Sequence, residues 1–471
     1  MATYTKKIAI NTLVQIIGKA VTTAIAVVML AYLARYLGVG GYGDYATIFA
    51  FLGFFAILAD MGFYTVAIRE MAKDPESSQK VMGNIFSLRI IFALTVLIIA
   101  PIVGYFIPSY SEAVKIGILI ATFSSFFILL NQIFVSIFQV RLRMDRSVIS
   151  DIVARIVLFA LTLVFIKLGF SLQFFILANV IANLVLVLIS FLLSRKFLIY
   201  KPQFDFKYWK YIIKESLPLG IVIVLGLIYF KVDTVMLSIM KDNVAVGIYG
   251  APYKILEILI TVPSIFMGSV FPLVSKYIKE KDSRFKESFS TSFDFMLILA
   301  VPLVVGTYLL AKPIVSLILG SEFSASVIVL QYLIFAVFII FLGTIMGNFV
   351  VAANLQRKLV WVYLFSVFFN ITGNLILIPR YSYIGSSITT IATEFLVCSF
   401  AYIIVYKNLK LVPKTGVLFK VLIASFLMGA FLYYFSNANL VLLLVAGSAI
   451  YFVILYLIGG IKKEMILKMI K

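Results

Sequence analysis

Apolar stretches of about 20 residues, the length that carries a helix across a hydrocarbon core of roughly 30 Å, recur almost end to end through this 471-residue chain. We place fourteen, near 8–34, 42–66, 81–107, 113–139, 148–168, 172–194, 213–240, 244–275, 288–311, 325–353, 358–378, 383–406, 417–436 and 440–460. Lipid offers the backbone no hydrogen-bond partners, so stretches of this kind fold as helices. The expected fold class is an all-α integral membrane protein with about 14 transmembrane helices. The first window is too long for a signal-peptide core and lacks a small-residue cleavage pattern after it, so it is expected to remain as a helix.

The connections carry the charge. Forty Lys and Arg against twenty Asp and Glu leave a formal charge of +20. In a soluble chain that balance would suggest a nucleic-acid binder. Here the cations sit in short clusters between apolar runs, and alternate connections hold twenty-eight against five of them. The rich set includes Lys6 and Lys7, the group from Arg195 to Lys214, the group from Lys276 to Lys286, and Lys462, Lys463, Lys468 and Lys471. By the positive-inside rule that set is cytoplasmic, as are both termini. The surplus therefore reads as orientation plus contact with anionic lipid, with no nucleic-acid partner.

Whole function classes fall away. Histidine is absent and Cys398 is the only cysteine, which removes the usual general base, zinc ligand, pH switch and disulfide framework. No Gly-rich phosphate loop ends in Lys and Ser or Thr, so the chain does not drive itself with ATP. No enzyme activity, metal or cofactor is expected.

The longest connection, from about Arg195 to Tyr211, reads as the joint between two halves. Val39-Gly40-Gly41-Tyr42-Gly43-Asp44-Tyr45, at the start of the second segment, resembles Val246-Gly247-Ile248-Tyr249-Gly250-Ala251-Pro252-Tyr253, at the start of the eighth. An even number of crossings separates the copies, so the repeats are parallel. The expected organisation is a six-helix lobe over 1–200, a second over 201–410, and two additional helices with a cytoplasmic tail over 411–471. The last two segments hold almost nothing ionisable and are expected to face lipid or a partner. Pro218, Pro263, Pro272 and Pro302 are expected to interrupt segments seven to nine.

Ionisable groups inside membrane segments are costly and point to sites. Lys115 and Lys420 lie near segment ends and can snorkel to the interface. Lys19 lies roughly eleven residues into the first segment, and Asn11, Gln15 and Lys19 share one stripe at i, i+4, i+8. That stripe is either a substrate surface or a polar seam against another helix. Lys254 and Glu257, three apart on one face, are either a binding site or a self-neutralising pair. Lys231 and Asp233, two apart, point to different sides. Asp60 lies in the second segment. Asp151 and Arg155, four apart, read as a structural pair, whereas Arg89, Asp294 and Glu394 are isolated in sequence. The charges thus gather on segments one, two, seven and eight, the first two of each repeat.

Several of these residues also carry a resemblance. Arg35-Tyr36-Leu37-Gly38 with Tyr42-Gly43, then Asp60-Met61-Gly62-Phe63 and Arg69-Glu70, resemble the start of the polysaccharide-transporter family, the flippases for lipid-linked oligosaccharides. That family belongs to the multidrug, oligosaccharidyl-lipid and polysaccharide exporter superfamily. Leu217-Pro218-Leu219, Lys231-Val232-Asp233, the run 246–257 and Phe271-Pro272-Leu273 resemble it in the second half. The resemblance implies a V-shaped pair of six-helix lobes, a central cavity lined by segments one, two, seven and eight, and alternating access. It further implies a polyprenyl-linked oligosaccharide as substrate, the lipid bilayer as setting, and glycan-assembly proteins as partners. Cavity cations would hold the carrier's pyrophosphate, and by position Lys19 and Lys254, then Lys231, match them, with Gln15 and Asn11 alongside. Several members of the family it resembles place Arg there, and Lys supplies a point charge without the bidentate fork. Asp60, Asp233, Glu257 and Glu394 are the carboxylates for a coupling cation or for charge pairing. The second reading is a cation-coupled multidrug exporter of the same superfamily, which would need more acidic cavity residues; a non-transporting scaffold is a third.

Overall fold

A computed structural model describes residues 2–74, 78–198, 201–413 and 416–461, with side chains from residue 11 onward apart from positions 219, 222 and 227. Of the cationic clusters, the Lys6 and Lys7 side chains, Lys414 and the segment 462–471 lie outside the described residues. Among those described, the chain is helical almost throughout and no strand occurs.

Among the described residues, eleven helical runs are long and apolar enough to cross a membrane. Two of them, 11–73 and 356–409, hold 63 and 54 residues, more than twice the length of one crossing. Each turns at a residue with non-helical backbone, Gly38 (φ 64°) and Ser382 (φ 50°). Divided at those turns, and with the 35-residue helix Phe206–Met240 counted as a further crossing, the runs make the fourteen segments read from the sequence. The chain is a multi-pass, all-α membrane protein.

The chain forms two compact units, Met1–Gly247 and Ile248–Lys471. In the first, α1 (Ala2–Asp60) ends at Met61 (φ 39°) and Gly62 (φ 82°), and the short amphipathic α2 (Phe63–Lys73) follows. The sequence pattern alone joins these as one window, because the apolar run does not pause. The backbone turns there because Gly62 adopts the left-handed conformation that a Cβ would oppose. Then come α3 (Ser78–Tyr105), α4 (Glu112–Val140), α5 (Met144–Lys167), α6 (Leu172–Ser194) and α7 (Phe206–Met240). Phe63, Val66 and Met71 of α2 pack with Met82, Ile85, Ile133, Trp209 and Ile212 in a core shared by α2, α3, α4 and α7. A second core joins Ile48, Phe51 and Leu52 of α1 to Ile118 and Ala121 of α4 and Ile176 of α6.

Near the boundary of the first unit, the two copies of the repeat motif meet. A Cβ on Gly43 would run into the Asn243 carbonyl, and one on Gly247 into the Val39 carbonyl. The glycines of the motif are therefore places where two backbones touch.

The second unit takes up α8 (Asn243–Leu259) beyond Gly247, then α9 (Thr261–Lys279), α10 (Arg284–Leu309), α11 (Ala311–Ile318), α12 (Ser326–Ala352), α13 (Gln356–Leu409), α14 (Gly416–Tyr434) and α15 (Leu440–Leu457). The expected proline interruptions mostly do not occur, since α7, α9 and α10 run through Pro218, Pro272 and Pro302. Each proline removes one ladder bond, a loss that membrane helices make good through neighbouring groups. The break falls instead at Ile260, between α8 and α9, with Pro263 in the first turn of α9 where its missing N–H costs nothing. Val421, Ala424 and Met428 of α14 and Leu443, Tyr451 and Leu455 of α15 pack with Leu297, Ile298 and Val301 of α10. Their other faces leave Phe419, Phe426, Val445 and Leu457 exposed, as helices facing lipid require.

Candidate functional site

Each unit carries its own share of the candidate residues. In the first, Asn11 and Gln15 lie on α1, where the Gln15 amide donates to the Asn11 carbonyl at 3.3 Å. The Asn11 side-chain oxygen accepts from the Met144 N–H at 2.8 Å, capping the start of α5. Gly18 rests on Val148, so that turn of α1 lies directly against α5. Lys19, next in sequence, is exposed. The stripe is thus divided, with its Asn end holding two helices together and its Lys end open. On α7, Lys231 is half-buried with its ammonium 6.0 Å from the Phe230 ring centre, while Asp233 is buried.

Asp60 sits at the break between α1 and α2, and the structure sets it against Arg89 of α3, which donates to it. The same guanidinium nitrogen donates to Gln132 of α4, and Tyr64 bonds Gln139 nearby. Arg89 is 1% exposed. This cluster, with Arg89 buried at its centre, pins the break from two neighbouring helices. Sequence spacing could not pair residues 29 apart; the available signal was that an Arg in an apolar run must find an anion.

At the other end of α2, Arg69 reaches Glu215 of α7 at 2.6 Å, and Glu70 accepts from both Arg69 and Lys73 at 3.1 Å. Arg69 and Glu70, noted in the sequence only as part of a motif, tie α2 to α7.

In the second unit the Lys254 ammonium donates to Glu257 at 2.7 Å, with the lysine side chain 49% exposed and the carboxylate 18%. The pair leaves the ammonium open on its far side. Glu394, by contrast, is buried in α13. It follows Thr393 in a polar seam where Asn370 donates to Thr393 at 3.3 Å and Asn374 to Asn370 at 2.9 Å. Tyr249 and Thr390 share a hydrogen bond of 2.9 Å on the same unit. Tyr249 stood out in the sequence only as part of the repeat motif, and the Asn and Thr partners did not stand out at all. The usable signal was Asn370 and Asn374 four apart inside an apolar run. Asp151 and Arg155 approach to 3.9 Å on α5. Among the described residues no group of three or more His, Cys, Asp or Glu side chains could hold a metal ion.

The chain as a whole is similar to known proteins. The polysaccharide biosynthesis protein family matches residues 6–278, and the MatE family matches 218–376. A relative described as a probable low-salt glycan biosynthesis flippase, Agl15 of Haloferax volcanii, is 23% identical over 371 residues, 77% of this chain and 75% of the relative. Among solved structures, the lipid II flippase MurJ in an inward closed conformation superposes with a TM-score of 0.79 at 15% identity, covering 95% of this chain and 98% of that one. An inward-facing multidrug resistance MATE family transporter gives 0.66 at 13% identity over 85% and 98%. A transporter of the same superfamily from Pyrococcus furiosus gives 0.61 at 18% over 86% and 97%. At these identities the structures establish a shared fold. The family match spans more than half of the chain and includes the Asp60 break, the Arg69 tie and all of α7 and α8, so the chain belongs to the polysaccharide biosynthesis protein family of the multidrug, oligosaccharidyl-lipid and polysaccharide exporter superfamily.

Proposed function

We propose that this protein is a flippase that moves a polyprenyl-(pyro)phosphate-linked oligosaccharide from the cytoplasmic to the outer leaflet of the plasma membrane by alternating access, with both termini in the cytoplasm. It acts as a transporter and not as an enzyme. The observation that carries the reading is that lysines on crossing-length helices keep their ammonium groups accessible: Lys19 is exposed, and Lys254 is half-exposed even while bonded to Glu257. Exposed ammonium groups in segments otherwise built for lipid require water or an anion beside them, and a carrier diphosphate supplies the anion. Lys231 is the third cation of the set, and Gln15 with Asn11 extends the Lys19 stripe. The flippase description of the Haloferax volcanii relative supports the same substrate class.

For a coupling cation, Glu394 offers a buried carboxylate on α13, the helix that also carries the Asn370, Asn374 and Thr393 seam, and oxygen ligands are what a hard cation prefers. Asp60 is engaged by Arg89 and Glu257 by Lys254, which favours the charge-pairing reading for those two; Asp233 is a further buried carboxylate. Glycan-assembly proteins are the expected partners that supply and consume the lipid-linked glycan. The match of 218–376 to the MatE family favours multidrug export as the second reading.

The test is flipping of a fluorescent lipid-linked oligosaccharide in proteoliposomes. Lys254→Arg should retain most of the rate, Lys254→Gln should lose roughly ten- to a hundredfold, the worth of one or two charge-assisted bonds, and Lys254→Glu should abolish it at equal membrane abundance. Recovery in Lys254→Gln with Glu257→Gln would show that the two charges only neutralise each other. Cation-coupled efflux of organic cations without lipid flipping would favour the multidrug reading.

A further inference from the structure

The connection between α6 and α7, rich in Lys and read from the sequence as a joint, is bound to α3 from Lys201 to Asp205. Asn84, in the second turn of α3, is fully buried, and its side-chain amide is saturated. It donates to the Lys80 carbonyl at 3.0 Å and to Gln203 at 3.1 Å, and it accepts from the Asp205 N–H at 2.9 Å and the Trp209 indole at 3.1 Å. An amide has two donors and two acceptor positions, and all four are used. Three of the four reach the connection or the start of α7. One residue earlier, the Gly83 carbonyl accepts from the Gln203 N–H at 3.1 Å, and a Cβ on Gly83 would collide with the Lys201 carbonyl.

Two ion pairs close the same seam. Lys80 lies 3.3 Å from Asp205, and Asp205 also caps α7 by accepting from the Tyr208 N–H at 3.1 Å. That N–H, with Lys80 beside it, holds the Asp205 carboxyl below the usual carboxylate range. Farther along, Arg69 of α2 reaches Glu215 at 2.6 Å. Between the two pairs, Trp209 and Ile212 enter the core built by Phe63, Met82, Ile85 and Ile133.

We infer that residues 201–215 are a fixed part of the first unit, with Asn84 as the positioning residue that holds the connection and the cytoplasmic end of α7 against α3. The stretch is therefore a clamp and not a joint, and any bending of the chain during work is taken up beyond Glu215. Buried, fully satisfied polar networks resist partial opening because each released group is left unpaired. Lys201, Pro202, Phe204 and Phe206 stay exposed, so the connection is held at its backbone and at Gln203 and Trp209 by one buried amide.

Hydrogen exchange on the full-length protein in nanodiscs tests this. The Gln203 and Asp205 amides should exchange slowly in the wild type, and Asn84→Ala should speed peptides covering 201–209 by about tenfold or more, since two or three bonds are lost. Gly83→Ala should act similarly while favouring the α3 helix itself, so its effect cannot be put down to a lost helix. Unchanged exchange in α12 peptides shows that both variants are folded. Fast exchange of 201–209 in the wild type, unaltered by either variant, overturns the inference. A second arm rests on the flippase reading: Lys80→Cys with Asp205→Cys in a Cys398→Ala background, bridged by a short bis-maleimide, should flip lipid as fast as its unbridged form. Loss of flipping on bridging would mean that the connection must leave α3, and the clamp fails. An unbridged double variant that does not flip counts against the flippase reading and leaves the exchange result standing.

Discussion

The Arg89 side chain shows how a membrane segment tolerates a charge. It is 1% exposed, bonded to Asp60 and Gln132 through one nitrogen, while its Nε and Nη1 have no hydrogen-bond partner among the described residues. Such a pair contributes little net stability compared with apolar residues of the same size, yet removing one partner strands the other charge. Arg89→Met alone should therefore cost about 3–5 kcal/mol, whereas Arg89→Met with Asp60→Leu should regain most of that loss. Apparent melting temperature of the purified protein in detergent reads both. Equal loss in the single and double variants would mean that the pair is not what the site requires. Asp60 and Arg89 were each visible in the sequence, but their pairing was not, because the end of α1 and α3 meet only through the packing of the first unit.

At the scale of elements, the glycines of the repeat motif set how closely helices approach. Gly43 and Gly247 each face a carbonyl across the contact, from Asn243 and Val39, with no space for a methyl group. Gly53 lies farther along the same helix α1, and a Cβ there would meet nothing within 4 Å. Gly43→Ala and Gly247→Ala should each destabilise by about 1–3 kcal/mol through overpacking, while Gly53→Ala should be neutral or mildly stabilising, because Ala suits a helix better than Gly. Thermal denaturation of the three variants separates these outcomes. A neutral Gly43→Ala would mean that 39–43 and 243–247 do not lie in contact. The repeat itself was readable from the amino-acid order; that the two copies touch was not, because they are 207 residues apart.

For the whole molecule, the cation bias makes a topological prediction. In a Cys398→Ala background, an impermeant thiol reagent added to intact cells should label Ser109→Cys and Asn437→Cys but not Asp282→Cys. Ser109 and Asn437 lie in the turns after α3 and α14, and Asp282 lies between α9 and α10, where Arg284 pairs with it at 2.5 Å. Labelling of Asp282→Cys from outside would invert the orientation. The Arg284 side chain, followed by its backbone N–H, holds the Asp282 carboxyl below the usual carboxylate range. Whatever stability this pair contributes is present above the unfolded-state value and fades only as the pH falls through the lower folded one.

The sequence by itself determined that the chain lives in lipid, that it crosses about fourteen times and that its fold is all-α. Hydrocarbon imposes those answers locally, one 20-residue window at a time. It also exposed every buried charge, since an ionisable residue in an apolar run is conspicuous wherever it lies. Only the tertiary structure decided what those charges meet: Asp60 with Arg89, Asn11 at the start of α5, and Asn84 around the connection before α7. It likewise placed the backbone break at Met61 and Gly62 and left the helices running through Pro218, Pro272 and Pro302. Lipid reads hydrophobicity and not partners, so pairings across tens or hundreds of residues follow from helix packing alone.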